Sequence, residues 1–162
     1  MHSIKIKKAQ QEDCPIIYKF IKDLAKFEKA PQEVDLTLDK LLEDGFGSNP
    51  AYECFIATYN GTAAGMALFY PRYSTWKGRT LYLEDLYIEP AFRGQGIAKK
   101  LLRKLCEVAL ARECLRLEWQ VLDWNHQAIE LYKSVGASLD PEWINGRMVP
   151  LTMQRLIADL RE

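Results

Sequence analysis

The sequence predicts an α/β fold with a central, mostly antiparallel mixed sheet flanked by helices. Three observations predict it. Segments with the two-residue period of a strand and segments with helical period follow one another in a fixed order: strand, helix, helix, three strands, helix, strand, helix, two strands. Asn60-Gly61 joins two strand-like runs and is the strongest short hairpin signal. The stretch from Leu81 to Lys100 reads as a strand, a short loop and the start of a helix.

Each element has its own warrant. Ile4 and Ile6 alternate with Lys5 and Lys7, a short strand with one wet face. Asp13 and Pro15 open a helix, Asp13 as its cap. Ile17, Phe20, Ile21 and Leu24 mark its buried side; it fades near Glu28, and Pro31 closes the segment. Thr37 caps a second helix that ends at Gly45. Tyr52 to Tyr59 and Thr62 to Tyr70 form the hairpin strands. In the next strand Leu81, Leu83 and Tyr87 alternate with Tyr82, Glu84 and Leu86, and Pro90 ends it. Ile97, Leu101, Leu105 and Val108 make one helical face. Leu115, Leu117, Trp119 and Val121 alternate with Arg116, Glu118 and Gln120 in a fifth strand. Asn125 caps a helix running to Gly136, and a last strand pair spans roughly Ser138 to Leu156, turning at Asn145-Gly146. No repeat or linker interrupts the 162 residues, so one domain, 1–162, is expected.

Composition narrows the function. Lys plus Arg and Asp plus Glu are both 22, which leaves no charge footprint for nucleic acid or an anionic membrane. The four cysteines lack Cys-x-x-Cys spacing and the two histidines lie far apart, so no metal site is expected. Cys14, Cys54 and Cys106 stand among apolar neighbours and read as buried free thiols, as in a reducing compartment. No apolar run approaches ~18 residues and the first residues lack a signal-peptide core, so a cytoplasmic protein is expected.

Arg93-Gly94-Gln95-Gly96-Ile97-Ala98 holds two glycines at a strand-to-helix turn. Glycines there let the backbone approach a ligand, and the free N–H groups of a first helical turn favour an anion. The loop reads as a phosphate or pyrophosphate cradle, or else as a turn that only caps its helix. It lacks the Gly-Lys-Ser/Thr ending of a Walker loop, and Lys99 stands where a dinucleotide fingerprint needs Gly or Ala.

This loop resembles the pyrophosphate loop of the GCN5-related N-acetyltransferases (GNAT). Tyr82-Leu-Glu-Asp-Leu-Tyr87 before it resembles the diamine acetyltransferase branch, which includes spermidine/spermine and thialysine acetyltransferases. Leu24-Ala-Lys-Phe-Glu28, Leu41 to Gly47, Ser74-Thr-Trp-Lys-Gly78, Leu122-Asp-Trp-Asn125 and Leu131-Tyr-Lys133 extend the resemblance along most of the chain.

The resemblance implies an acetyl-CoA-dependent transfer to a primary amine, with no metal. It implies that the backbone of Leu86, Tyr87 and Ile88 meets the pantetheine amides. Arg93, Gly94, Gln95, Gly96, Ile97, Ala98 and Lys99 would hold the pyrophosphate, with Asn125 on the pantetheine arm. An alkylammonium, with pKa near ~10.4, must lose a proton to become a nucleophile. Glu84 is implied as that base, through water, and Tyr132 as the acid that protonates the leaving thiolate and contacts the cofactor. Phe27, Glu28, Trp76, Glu84, Asp85, Glu118, Trp119 and Gln120 would line the substrate site. Asp85 should face the other side of the pleat from Glu84 unless a bulge intervenes. A homodimer is implied, joined through C-terminal strands around Arg147 to Met153.

Ser74 stands where the polyamine branch has an acid, two residues before the tryptophan matching Trp76. Each lost charge-assisted contact costs about 1.5–3 kcal/mol. A long polycation loses more by this than a lysine-like amine, so a small lysine-like acceptor is expected, with spermidine or spermine as the alternative. A non-catalytic acyl-CoA-binding module and a protein acetyltransferase docking a basic peptide on Glu28 and Glu43-Asp44 are the other readings.

Overall fold

The computed structural model describes residues 2–160. Five strands form one sheet: β1 (Ile4–Lys8), β2 (Glu53–Tyr59), β3 (Thr62–Ser74), β4 (Gly78–Ile88) and β5 (Leu117–Glu118). They lie in sequence order, antiparallel throughout except that β5 runs parallel to β4. The helices are α1 (Cys14–Phe27), α2 (Leu38–Phe46), α3 (Ile97–Ala111), α4 (His126–Ser134) and α5 (Pro150–Asp159). The chain divides into two compact units, Met1–Asn125 and His126–Glu162.

In the first unit both faces of the sheet are covered. That is why Cys54 to Ala57 and Ala64 to Phe69 are buried without a break. On one face Cys54, Ile56, Met66, Leu68 and Tyr87 pack with Cys14, Ile17 and Phe20 of α1 and Leu41 of α2. The other face meets α3, whose buried residues are Ile97, Leu101, Leu102, Leu105 and Ala109. Ala109, not Val108, completes that stripe. Cys106 is exposed, a correction to the expected buried thiol: it lies one residue past buried Leu105, rotated about 100° onto the wet face with Arg103 and Glu107. Cys14 and Cys54 are buried and free.

Local chemistry explains the ends. Thr37 Oγ1 accepts from Lys40 N (3.2 Å) and caps α2, which runs one residue past Gly45. Asp13 precedes α1 but spends its carboxylate on Gln10 N (2.8 Å) and Lys7 Nζ (2.8 Å) instead of capping it. Lys19 joins Asp23 and Glu89, tying α1 to the residue after β4. Arg112, just past α3, grips Glu53 with both terminal nitrogens (2.7 and 3.0 Å) and holds its carboxyl below the usual range.

Two strand expectations fail. β5 pairs only at Leu81–Leu117 and Tyr82–Glu118, so the stretch through Val121 is mostly not strand. Its partner bulges two residues beyond Tyr82, and a bulge ends pairing on the neighbouring edge. The final strand pair, and with it the strands proposed to join two copies, is absent. Residues 138–149 carry no regular structure, and α5 follows with Pro150 in its first turn. Met153, Leu156, Ile157 and Leu160 have helical spacing, which overrides the turn signal at Asn145-Gly146. Within this second unit α4 ends in a Schellman arrangement: Ala137 N donates to Tyr132 O (3.1 Å) and Gly136 N to Lys133 O (3.0 Å).

Gly45 lies inside α2 where the Tyr52 ring presses against it; a Cβ there would sit 2.3 Å from ring atoms. Tyr52 is fixed by its hydroxyl donating to Leu41 O (2.7 Å). Gly45→Ala gains helix propensity but must displace that ring. The expected outcome is a net loss of about 1–3 kcal/mol, read as a lower thermal midpoint.

Candidate active site

β4 pairs with β3 so that Leu68 faces Asp85 while Phe69 faces Leu83. Glu84 is therefore the extra residue of a β-bulge. Before the bulge Leu83 pairs with Phe69, whose ring stacks on Phe55 away from the α1 cluster. After it Asp85 is in register with Leu68 and Cys54, and Tyr87 with Met66; these three partners and Tyr87 itself belong to the α1 side. Leu81, Leu83 and Tyr87 share parity in the sequence yet not a face. Asp85 is likewise brought to the face where Glu84 points, so the bulge left open by the pleat argument does intervene.

Glu84 is exposed, and Tyr70 Oη donates to its Oε2 at 2.6 Å. Tyr70 packs against the same core cluster, with its ring 5.4 Å from that of Tyr82. Glu28, the residue that ends α1, completes a group of three carboxylates. Burial, then the charges of Glu84 and Glu28, push the Asp85 carboxyl up to about 7. Burial and Glu84 push Glu28 up as well. The rise in Tyr70 comes from burial first and then from its bond to Glu84.

Aromatic rings meet at Phe27, the residue before Glu28. Phe27 lies 5.9 Å from Trp124, and the Arg93 guanidinium lies 5.3 Å from the Phe27 ring centre. Lys29 Nζ sits 4.6 Å over Trp124. Trp76 is elsewhere, at the tip of the β3–β4 hairpin and 78% exposed. Gly78 precedes Glu84 by six residues, about 20 Å along a strand, so Trp76 does not join the carboxylates. At that tip Ser74 Oγ accepts from Trp76 N and Lys77 N (both 3.2 Å) and from Arg116 Nη2 (2.8 Å). Arg116 also lies 3.4 Å from Glu118 Oε1, so the expected substrate carboxylate of Glu118 already faces a cation. Trp119 and Gln120 follow β5, the first partly buried and the second exposed.

The open edge of β4 begins where β5 stops. Among the described residues no strand pairs with that edge from Leu83 to Ile88. The Tyr87 side chain is buried, its ring 5.3 Å from that of Phe20. Past Ile88 the chain makes a short 3-10 turn, Pro90–Phe92, and Arg93 Nε donates back to Ile88 O (3.2 Å). Gly94 and Gly96 have φ of 76° and 77°, and a Cβ on either would meet nothing within 4 Å. The left-handed backbone, not crowding, calls for glycine at both, and it leaves the outside of the loop clear. α3 starts at Ile97 with no acidic residue in its first turn and no side-chain cap. Its first N–H groups and the exposed Lys99 therefore fit a pyrophosphate. No group of three or more metal-ligating side chains occurs among the described residues.

The sequence and the fold that carry this site match known proteins. The sequence profile of the acetyltransferase (GNAT) family matches residues 16–137. The chain belongs to that family. A cattle protein named thialysine N-epsilon-acetyltransferase is 42% identical over 145 residues, 85% of each chain. The mouse protein of that name is 40% identical over 167 residues, 96% of this chain and 98% of its own. Among solved structures, an integron cassette protein from Vibrio cholerae superposes with a TM-score of 0.78 over 96% of this chain and 98% of its own, at 23% identity. This GNAT acetyltransferase thus has the α/β architecture expected from its motifs.

In the second unit Tyr132 is the buried residue of α4. Asn125 immediately precedes that helix and closes a turn, its N–H donating to Leu122 O (2.9 Å). Reading the sequence missed Tyr70, Tyr82, Arg116 and Trp124. For Tyr70 a signal was available: the hairpin turn at Ser74 to Gly78 sets Tyr70 opposite Tyr82, two residues from Glu84.

The Asp85 shift has a definite sign. Between its unfolded pKa, ~3.9, and about 7 the native state holds a proton that the unfolded state releases, so stability falls as pH rises through that window. Asp85→Asn removes the ionisation. It is expected to stabilise the protein by about 1–3 kcal/mol at pH 8 and to be near neutral at pH 4, as read from denaturant midpoints at both pH values.

Proposed function

We propose that this acetyltransferase moves an acetyl group from acetyl-CoA to the primary amine of a small lysine-like cation, and that residues 1–162 work as one catalytic domain. The observation that carries the reading is the bulge. It sets Glu84 and Asp85 together beside Glu28, on the strand whose open edge leads into the glycine loop.

Backbone groups of Leu86, Tyr87 and Ile88 would hold the pantetheine arm with Asn125. Arg93 and the N–H groups from Gly94 to Lys99 would hold the pyrophosphate. When bound, acetyl-CoA supplies an acetyl thioester, an activated acyl donor. The chain's own work is proton handling and positioning. Glu84 takes a proton from the acceptor ammonium at a carboxylate oxygen, directly or through one water, and Tyr132 Oη holds the proton that the departing thiolate takes up.

The acceptor class follows from available negative charge. Ser74 is no acid, its oxygen is occupied, and Glu118 is faced by Arg116. That leaves one compact carboxylate group, suited to one ammonium end more than to a long polycation. The names of the cattle and mouse relatives support the same choice. Spermidine or spermine is the second reading, supported by a human relative named spermidine/spermine N(1)-acetyltransferase-like protein 1. We further propose a cytoplasmic homodimer; no helix among the described residues is long and apolar enough to cross a membrane.

Thiol release from acetyl-CoA near pH 8 tests the reading against thialysine, lysine, putrescine, spermidine and spermine. Thialysine turning over faster than any polyamine is the expected result, and a polyamine winning would replace the first reading by the second. Glu84→Gln and Tyr132→Phe should each lower kcat roughly 10²-fold. Full activity in either variant removes that residue from the mechanism.

A further inference from the structure

We propose that Tyr70 is a positioning residue for the transfer: its hydroxyl, donating to Glu84 Oε2 at 2.6 Å, fixes the carboxylate and leaves Oε1 as the oxygen presented to the acceptor. This rests on Glu84 being the base.

The need for such a group comes from the bulge. A bulged residue has no cross-strand partner, and Glu84 is exposed, so nothing in the ladder limits its rotamers. A base must meet its proton within hydrogen-bond reach, and a wandering carboxylate loses that geometry. Tyr70 is suited to anchor it. It comes from β3, it packs against the α1 core cluster, and its ring rests 5.4 Å from Tyr82, which lies 5.1 Å beneath the Arg72 guanidinium.

Glu84 stands among other titratable groups, and Tyr70 is the side chain that donates to it. Asp85 on β4 and Glu28 after α1 are its carboxylate neighbours, each pushed up by burial and then by the charge of Glu84. Tyr82 on β4, Arg72 on β3, Glu118 on β5 and, beside Asp85, Cys54 on β2 are further titratable or charged groups near this face. Tyr70 remains a donor through the working range, because burial and then its bond to Glu84 push its phenol up.

Tyr70→Phe removes one oxygen and keeps the ring. The expected result is a roughly tenfold fall in kcat/KM for the amine. The loss should fall on the amine, with KM for acetyl-CoA unchanged. The same change made in a Glu84→Gln background should cost little, because Tyr70 acts through Glu84. A wild-type rate, a raised KM for acetyl-CoA, or an equal loss in both backgrounds would each overturn the proposal. Full activity of Glu84→Gln alone would overturn the reading of Glu84 as base, a separate failure.

Discussion

One extra residue in β4 is the constraint on which the site depends. Without the bulge at Glu84 the pleat would send Glu84 and Asp85 to opposite faces and would keep Leu83 and Tyr87 on one face. With it, Leu83 stays on the face away from α1, and Tyr87 reaches the α1 core cluster. The two carboxylates arrive together beside Glu28. The same irregularity explains why β5 stops pairing at Tyr82–Glu118 and why the edge of β4 beyond it stands open. A catalytic carboxylate, a backbone edge for a ligand and a change of face thus come from a single local event.

That event has an energetic cost. Burial and then the neighbouring charge of Glu84 push Asp85 and Glu28 up, and the strand gives up ladder pairing where it bulges. The rest of the first unit supplies the rigidity that holds it. β2 and β3 are buried on both faces between α1 with α2 and α3, and Glu53, Lys8 and Arg112 bind the far end of the sheet to α3. The glycine loop adds a second demand for unusual backbone, at Gly94 and Gly96. Both demands fall on the same strand-to-helix segment, where the ligand-binding chemistry is proposed.

What could be read from the residues alone followed from how local each cause is. The Asn60-Gly61 hairpin, the Thr37 cap and the loop before α3 depend on a few neighbouring residues, and they stand where expected. The stripe of α3 was right to within Val108 and Ala109. The length of β5 was not legible, because what ends it is a bulge on another strand. Parity misled for Tyr87 for the same reason. The C-terminal segment failed differently: a turn signal at Asn145-Gly146 outweighed helical spacing from Met153 to Leu160. Among site residues, Glu28, Glu84 and Asp85 come together because of the bulge, while Trp76 remains at the hairpin tip and Glu118 is faced by Arg116.

The most direct test of this account is a pH titration of the side-chain carboxyl carbons of Asp85 and Glu28 by NMR in the intact protein, repeated in Glu84→Gln. The account predicts that Asp85 titrates near 7, that Glu28 titrates above its ordinary range, and that Glu84→Gln lowers both midpoints. Titration of both in the ordinary carboxylate range, with Asp85 indifferent to Glu84→Gln, would show that the bulge does not bring these side chains together.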